Sequence, residues 1–150
     1  MPLALDCLKD VPLPMAVSIL KATLEPIAHQ RLGSKQASVE LLITTDERMR
    51  QLNRVGRGVD ATTDVLSLPT AIDSEHGRVV PIGIEPIHLG TIVISLPQAT
   101  RQIGQFGSTI ETELLGLAAH GLRHLLGQNH DDAGAWQKMT KLERSAKVGI

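Results

Sequence analysis

Three histidines fall within one short stretch, "HGLRHLLGQNH", at positions 120, 124 and 130. Their spacing, H-x3-H-x2-G-x2-H, restricts the local fold more than any other feature of the chain. Residues four apart on a helix are rotated by about 40° and stand one turn apart. His120 and His124 therefore share a face and can ligate one ion. A third ligand from the same helix would not converge on that ion. Gly127 offers a way round, because glycine accepts the left-handed conformation that ends a helix. The chain can then turn back and deliver His130. Three neutral imidazoles leave one corner of a tetrahedral ion open to water, the form of a catalytic zinc site. The preceding run "LLGLAA" supplies an apolar sheath. A lone histidine pair is more often accidental, but here the third histidine and the helix-ending glycine join it. Asp131 or Asp132 is an alternative ligand, with helix capping the plainer role for both.

The same spacing occurs in metal-dependent proteases, which carry a glutamate as general base directly after the first histidine. Here that position is Gly121. Without a carboxylate there, peptide hydrolysis lacks its proton acceptor. An ion held by three neutral ligands keeps its full charge, which suits an anionic phosphodiester substrate better.

The remaining sequence predicts an α/β (α+β) domain. At 150 residues, with 42% apolar and 21% charged residues, the chain is long enough for one domain with a real core. The segment from Pro14 to Gly33 reads as a helix, with a kink or break at Pro26. "SVELLITT" alternates Val39, Leu41 and Ile43 on one face, as a strand does. A short helix follows, with Asp46 as N-cap and Gly56 as stop. "TTDVLSLP" and "LGTIVISLP" read as strands, and residues 70 to 88 between them as a loop or hairpin. "QATRQIGQFG" is a helix ended by glycine. Ser108 or Thr109 opens the histidine helix, Gly127 closes it, and a last helix starts at Asp131-Asp132. The expected result is a small, mixed, mostly parallel sheet packed with helices, in a single domain over residues 1–150, with a zincin-like metal helix. Whether "LALDCL" adds an edge strand is left open.

Net charge is −1, so the whole chain is no electrostatic sponge for nucleic acid. Arg50, Arg54 and Arg57 are spaced along one helix face, with Arg48 nearby. A solvated face is the plainer reading for Arg48 and Arg50. Arg57, expected past the helix in a glycine-flanked loop, is suited to clamp a phosphate. Thr62, Thr63 and Ser67 either contact phosphates or pair with neighbours. Phe106 and Trp136 are the aromatic residues, too few for a base-stacking platform, so any RNA would be held by phosphate and shape. Trp136 reads as core, His29 and His76 as surface, and His88 has no evident role. The single Cys7 and the absence of a signal peptide or membrane-length apolar run point to the cytoplasm.

Two blocks together resemble a known family. "HGLRHLLGQNH" is similar to H-G-x-L-H-L-x-G-Y-D-H, the signature of the YbeY family of bacterial endoribonucleases. "LNRVGRGVDATTDVLSLP" resembles that family's L-N-x-x-Y-R-x-x-D-x-P-T-D-V-L-S-F-P. The resemblance spans roughly residues 38 to 150. It implies a single-metal, zinc-dependent ribonuclease acting in ribosomal RNA maturation and ribosome quality control, at the small-subunit RNA. It also implies an α/β sandwich fold, with His120, His124 and His130 as metal ligands and Arg57 as the functional arginine of the cleft. The chain departs from the pattern at Gly56, Thr62, Leu68, Thr91, Arg123, Gln128 and Asn129, which alters the surroundings of the ligands. Two rivals stand beside this reading. One is a peptidase or esterase using the same tripod, with Glu113 or Asp131 as base. The other is a non-catalytic ribosome-associated factor that keeps the metal for stability.

Overall fold

The computed structural model describes residues 3–70, 72–73, 78–79 and 86–127. In chain order the elements are β1 (Leu3–Lys9), α1 (Val17–Leu32), β2 (Ala37–Thr44), α2 (Asp46–Arg57), β3 (Val65–Pro69), β4 (Ile72–Asp73), β5 (Arg78–Val79), β6 (Ile87–Ser95), α3 (Leu96–Arg101) and α4 (Ile110–Leu125). β1, β2, β6 and β3 form one sheet in that order, and β4 pairs with β5 in a small hairpin. β1 and β6 both run parallel to β2, while β3 is antiparallel to β6. "LALDCL" is thus part of an edge strand. The mixed, mostly parallel sheet agrees with the sequence reading.

Alternation in the strands divides the core in two. Val39, Leu41, Ile43, Ile92 and Ile94 face α1 and α4, in one cluster with Leu20, Leu24, Leu114 and Leu117. Leu42, Leu66 and Val93 face the other way and cluster with Met49 of α2. Both faces of the sheet are therefore covered, as a parallel arrangement requires. α4 is buried nearly all round, from Glu113 to Arg123. A helix buried on nearly every side belongs in the interior of a fold.

Several local expectations are corrected. α1 starts at Val17 rather than Pro14 and runs through Pro26 without ending. Pro26 and Ala22 are both exposed, so the Ala22 carbonyl that loses its helical donor lies on the solvent side of the helix. Thr45, not Asp46, caps α2, its hydroxyl accepting from the Arg48 N–H. α2 ends at Gly58 in the left-handed conformation, φ 71°, so Gly56 lies inside the helix. Arg57 is accordingly the last residue of α2 and not part of a loop. α3 is shorter than expected and ends at Gln102. The expected last helix, with Asp131, Asp132 and Trp136, lies outside the described residues, as does His76.

Candidate functional site

α4 begins with a reciprocal cap: the Thr109 hydroxyl accepts from Thr112 N–H, and the Thr112 hydroxyl accepts from Thr109 N–H. Sixteen residues later the helix closes at Leu126, and Gly127 follows with φ 94°. That positive angle is the conformation expected of a glycine that ends a helix. The Leu126 carbonyl also accepts from Arg31 Nε of α1, at 3.1 Å. His130 lies outside the described residues.

The histidine pair stands on one wall of a cleft of about 540 Å3. The cleft is lined by Gly56 and Arg57 of α2, Asp64 and the whole of β3, and His120, His124 and Leu125 of α4. Segments distant in the sequence are thereby joined, and Arg57 lines the same cleft as both histidines. The two imidazole rings have centres 5.2 Å apart and meet edge to face, at 70°. Two imidazoles sharing a tetrahedral ion at metal–nitrogen distances of roughly 2.1 Å have centres about 5 Å apart. The ring spacing therefore fits a shared ion. His120 is 6% exposed. Burial, the neighbouring His120 and the Arg57 guanidinium hold the His124 pKa down to about 4. The neutral imidazole is the form that ligates metals. Among the described residues no group of three such side chains comes together around one point.

The depressed pKa has a consequence for stability. Between pH 6.5 and about 4 the unfolded chain protonates His124 and the folded chain does not. Stability of metal-free protein is therefore fully present above pH 6.5 and declines as pH falls towards 4. The pKa values of Asp10, Asp46 and Asp60 lie below the usual carboxylate value, so their losses come only at lower pH. Urea midpoints of chelated protein should drop between pH 6.5 and 4.5, and a His124→Gln variant should show a flatter profile there. Parallel profiles would remove His124 as the cause.

Gly121 explains the missing glutamate. Successive helical residues are rotated by about 100°, so position 121 faces the sheet when 120 faces the cleft. A Cβ at Gly121 would lie 2.7 Å from Ile92 Cγ2 and 3.3 Å from both Ser67 Oγ and Val65 Cγ2. Ser67 Oγ donates to the Gly121 carbonyl at 3.1 Å, holding β3 against the histidine helix.

Glu113, a candidate base in the peptidase reading, has another task. It is fully buried. Its Oε1 accepts from the N–H groups of Gly104, Phe106 and Gly107, and its Oε2 from Gln102 Nε2. The carboxylate thus fixes the α3–α4 loop, which sets the Phe106 ring against His120 at 5.8 Å. Gln102 Nε2 also donates to Asp64 Oδ2, at 2.9 Å. Engaged on both oxygens, Glu113 organises the surroundings of the site and is not a free base. Asp131, the other candidate, lies outside the described residues. The sequence reading missed Asp64, Phe106 and the loop-holding role of Glu113. A glycine inside an otherwise strong helix was the available sign of close packing at 121.

The other candidates pair with neighbours. Arg48 is bound to Asp10 and Arg50 to Asp60, each through two hydrogen bonds. Thr62 donates to Asp46 and Thr63 to Asp64. His88 bonds Ser38, and His29 is exposed. Thr91 donates to Glu40, and Arg123 is buried, 8% exposed.

Comparison with known proteins identifies the family and the fold. A family model described as "Endoribonuclease YbeY" matches residues 9–147. A Gloeobacter violaceus protein of that name is 38% identical, over 93% of this chain and 77% of that protein. One from Moorella thermoacetica is 37% identical, over 89% of this chain and 86% of its own length. The solution structure of a Thermotoga maritima protein superposes with a TM-score of 0.64 at 22% identity, covering 97% of this chain and 90% of that one, and so shares the fold. With a matching family model over nearly its whole length and relatives of this identity, the chain belongs to the YbeY family of endoribonucleases.

Proposed function

We propose that this chain is a zinc-dependent endoribonuclease that cleaves single-stranded regions of ribosomal RNA during maturation and quality control of the small ribosomal subunit. The observation that carries the reading is the convergence of His120, His124 and Arg57 on one cleft. The cation would be held by His120 and His124 from α4, with His130 as the third ligand. When bound, such an ion supplies a Lewis acid for a phosphoryl oxygen and for water. The protein's own parts follow from their positions. The half-buried His124 imidazole, its pKa held down to about 4, stays neutral at ordinary pH. Arg57, anchored at the end of α2, offers paired donors to the phosphate as negative charge builds on it. The apolar lining from Val65, Leu66 and Leu125 lowers the local dielectric and strengthens those contacts.

No described helix is long and apolar enough to cross a membrane. The lone Cys7 suits a reducing compartment, and the cytoplasm is the proposed location.

The reading is tested by elemental analysis of purified protein beside a ribosomal RNA cleavage assay, with and without chelator. Arg57→Ala should keep its metal and lose cleavage by about 10²–10³-fold, the usual cost of one transition-state donor. Cleavage within a fewfold of wild type would remove Arg57 from the mechanism. RNA binding without cleavage, with chelation lowering only the melting temperature, would favour the non-catalytic factor.

A further inference from the structure

β3 is the outer strand of the described sheet, and its free edge runs along the cleft. Its register fixes which backbone groups face outwards. Ser95 N–H donates to the Asp64 carbonyl and Thr70 N–H to the Leu89 carbonyl. Those two pairs lie on the β3–β6 register at either end, with Val65 opposite Ile94 and Pro69 opposite Gly90. Hydrogen-bonded pairs alternate in an antiparallel ladder. Residues 64, 66, 68 and 70 therefore point their backbone groups at β6, and Val65, Ser67 and Pro69 point theirs into the cleft.

The three outward positions differ. The Val65 N–H is taken by Asp64 Oδ1 at 2.7 Å. Pro69 has no N–H, and an outward edge position is where proline is tolerated in a strand. Ser67 is left as the outward amide, half-buried, in the cleft that Arg57, His120 and His124 share. An added peptide strand needs donors at alternate positions along the edge. Two of the three are removed here, so the edge cannot support a ladder. One isolated N–H in the same cleft as a guanidinium suits a single anionic oxygen instead.

We propose that the Ser67 backbone N–H is a phosphate-positioning donor, which with Arg57 seats one backbone phosphate of single-stranded RNA along β3. The inference rests on the endoribonuclease reading of the cleft and deepens it. The Ser67 side chain plays no part in this contact, since it is turned to α4 and bonded to Gly121.

The test is amide-resolved NMR of the protein as purified, titrated with a 2′-O-methyl oligouridylate. In free protein the Ser67 amide should exchange faster than those of Leu66 and Leu68. On titration its signal should shift and its exchange slow, together with the Arg57 Nε–H. Ser67→Pro, which removes the donor without breaking a ladder bond, should weaken binding by roughly tenfold or more, as for a lost bond to a charged group. If that variant does not fold, the wild-type amide still decides. Movement of Arg57 and His124 signals with an unmoved Ser67 amide would overturn the proposal and leave the cleft as the RNA site. No movement anywhere in the cleft would overturn both. Protection of Ser67 by an extended peptide but not by RNA would make this edge a peptide site and overturn the proposal.

Discussion

Gly121→Glu is expected to prevent folding or to leave a protein that melts far below the wild type. The first carbon of any side chain there would sit 2.7 Å from the Cγ2 of Ile92, itself fully buried in β6. A β-branched methyl on a central strand cannot swing aside as the end of a long side chain can. Overpacking of this kind costs about 1–3 kcal/mol, partly offset by the roughly 1 kcal/mol helix preference of a non-glycine residue. The carboxylate adds a further several kcal/mol, because it enters an apolar layer between helix and sheet without a partner. Together these approach the whole stability of a typical domain, about 5–15 kcal/mol. Thermal and urea unfolding of Gly121→Ala and Gly121→Glu provide the measurement, with the alanine variant destabilised far less. A glutamate variant as stable as wild type that gained peptidase activity would show that a protease-type base fits after all. The packing argues otherwise: the neighbour of the first histidine is turned to the sheet, where no base can act.

His124→Ala should empty the proposed metal site. Changing a residue that merely orients a ligand typically costs 10–100-fold in metal affinity, and loss of a ligand itself should exceed that. We expect purified variant protein to hold little metal and RNA cleavage to fall to background. The fold should survive, since His124 is only half-buried on the cleft wall. Elemental analysis after size-exclusion chromatography, with circular dichroism as the folding control, is the measurement. Stoichiometric metal in a folded His124→Ala protein would mean that the ion is bound elsewhere. His120→Ala should lose metal as well, but with a larger fall in stability. His120 is buried against Phe106, so its removal also opens a cavity.

Much of the architecture was written in local patterns. Val39, Leu41 and Ile43 at period two announced a strand. Four-residue spacing put His120 and His124 on one face, and a glycine three residues on announced the turn that ends α4. These are short-range effects, set by backbone geometry within one or two turns, and they survive in almost any tertiary setting. The errors were also local, where two signals competed. Gly56 was read as the stop, but Gly58 took the left-handed angle while Gly56 packs against Leu68 inside the helix. Pro26 looked like a break, yet it lies on the exposed side of α1 and the helix continues through it.

The sequence by itself determined the histidine face, the glycine turn after it and the alternation that gives the sheet two buried sides, because each depends only on neighbours along the chain. Tertiary packing alone decided that Arg57 reaches the same cleft, that Glu113 is committed to a loop instead of to catalysis, and that β3 leaves one amide outward on the edge that lines that cleft. Those outcomes depend on which surfaces meet across the sheet and on strand register, where a shift of one residue would exchange every inward group for an outward one.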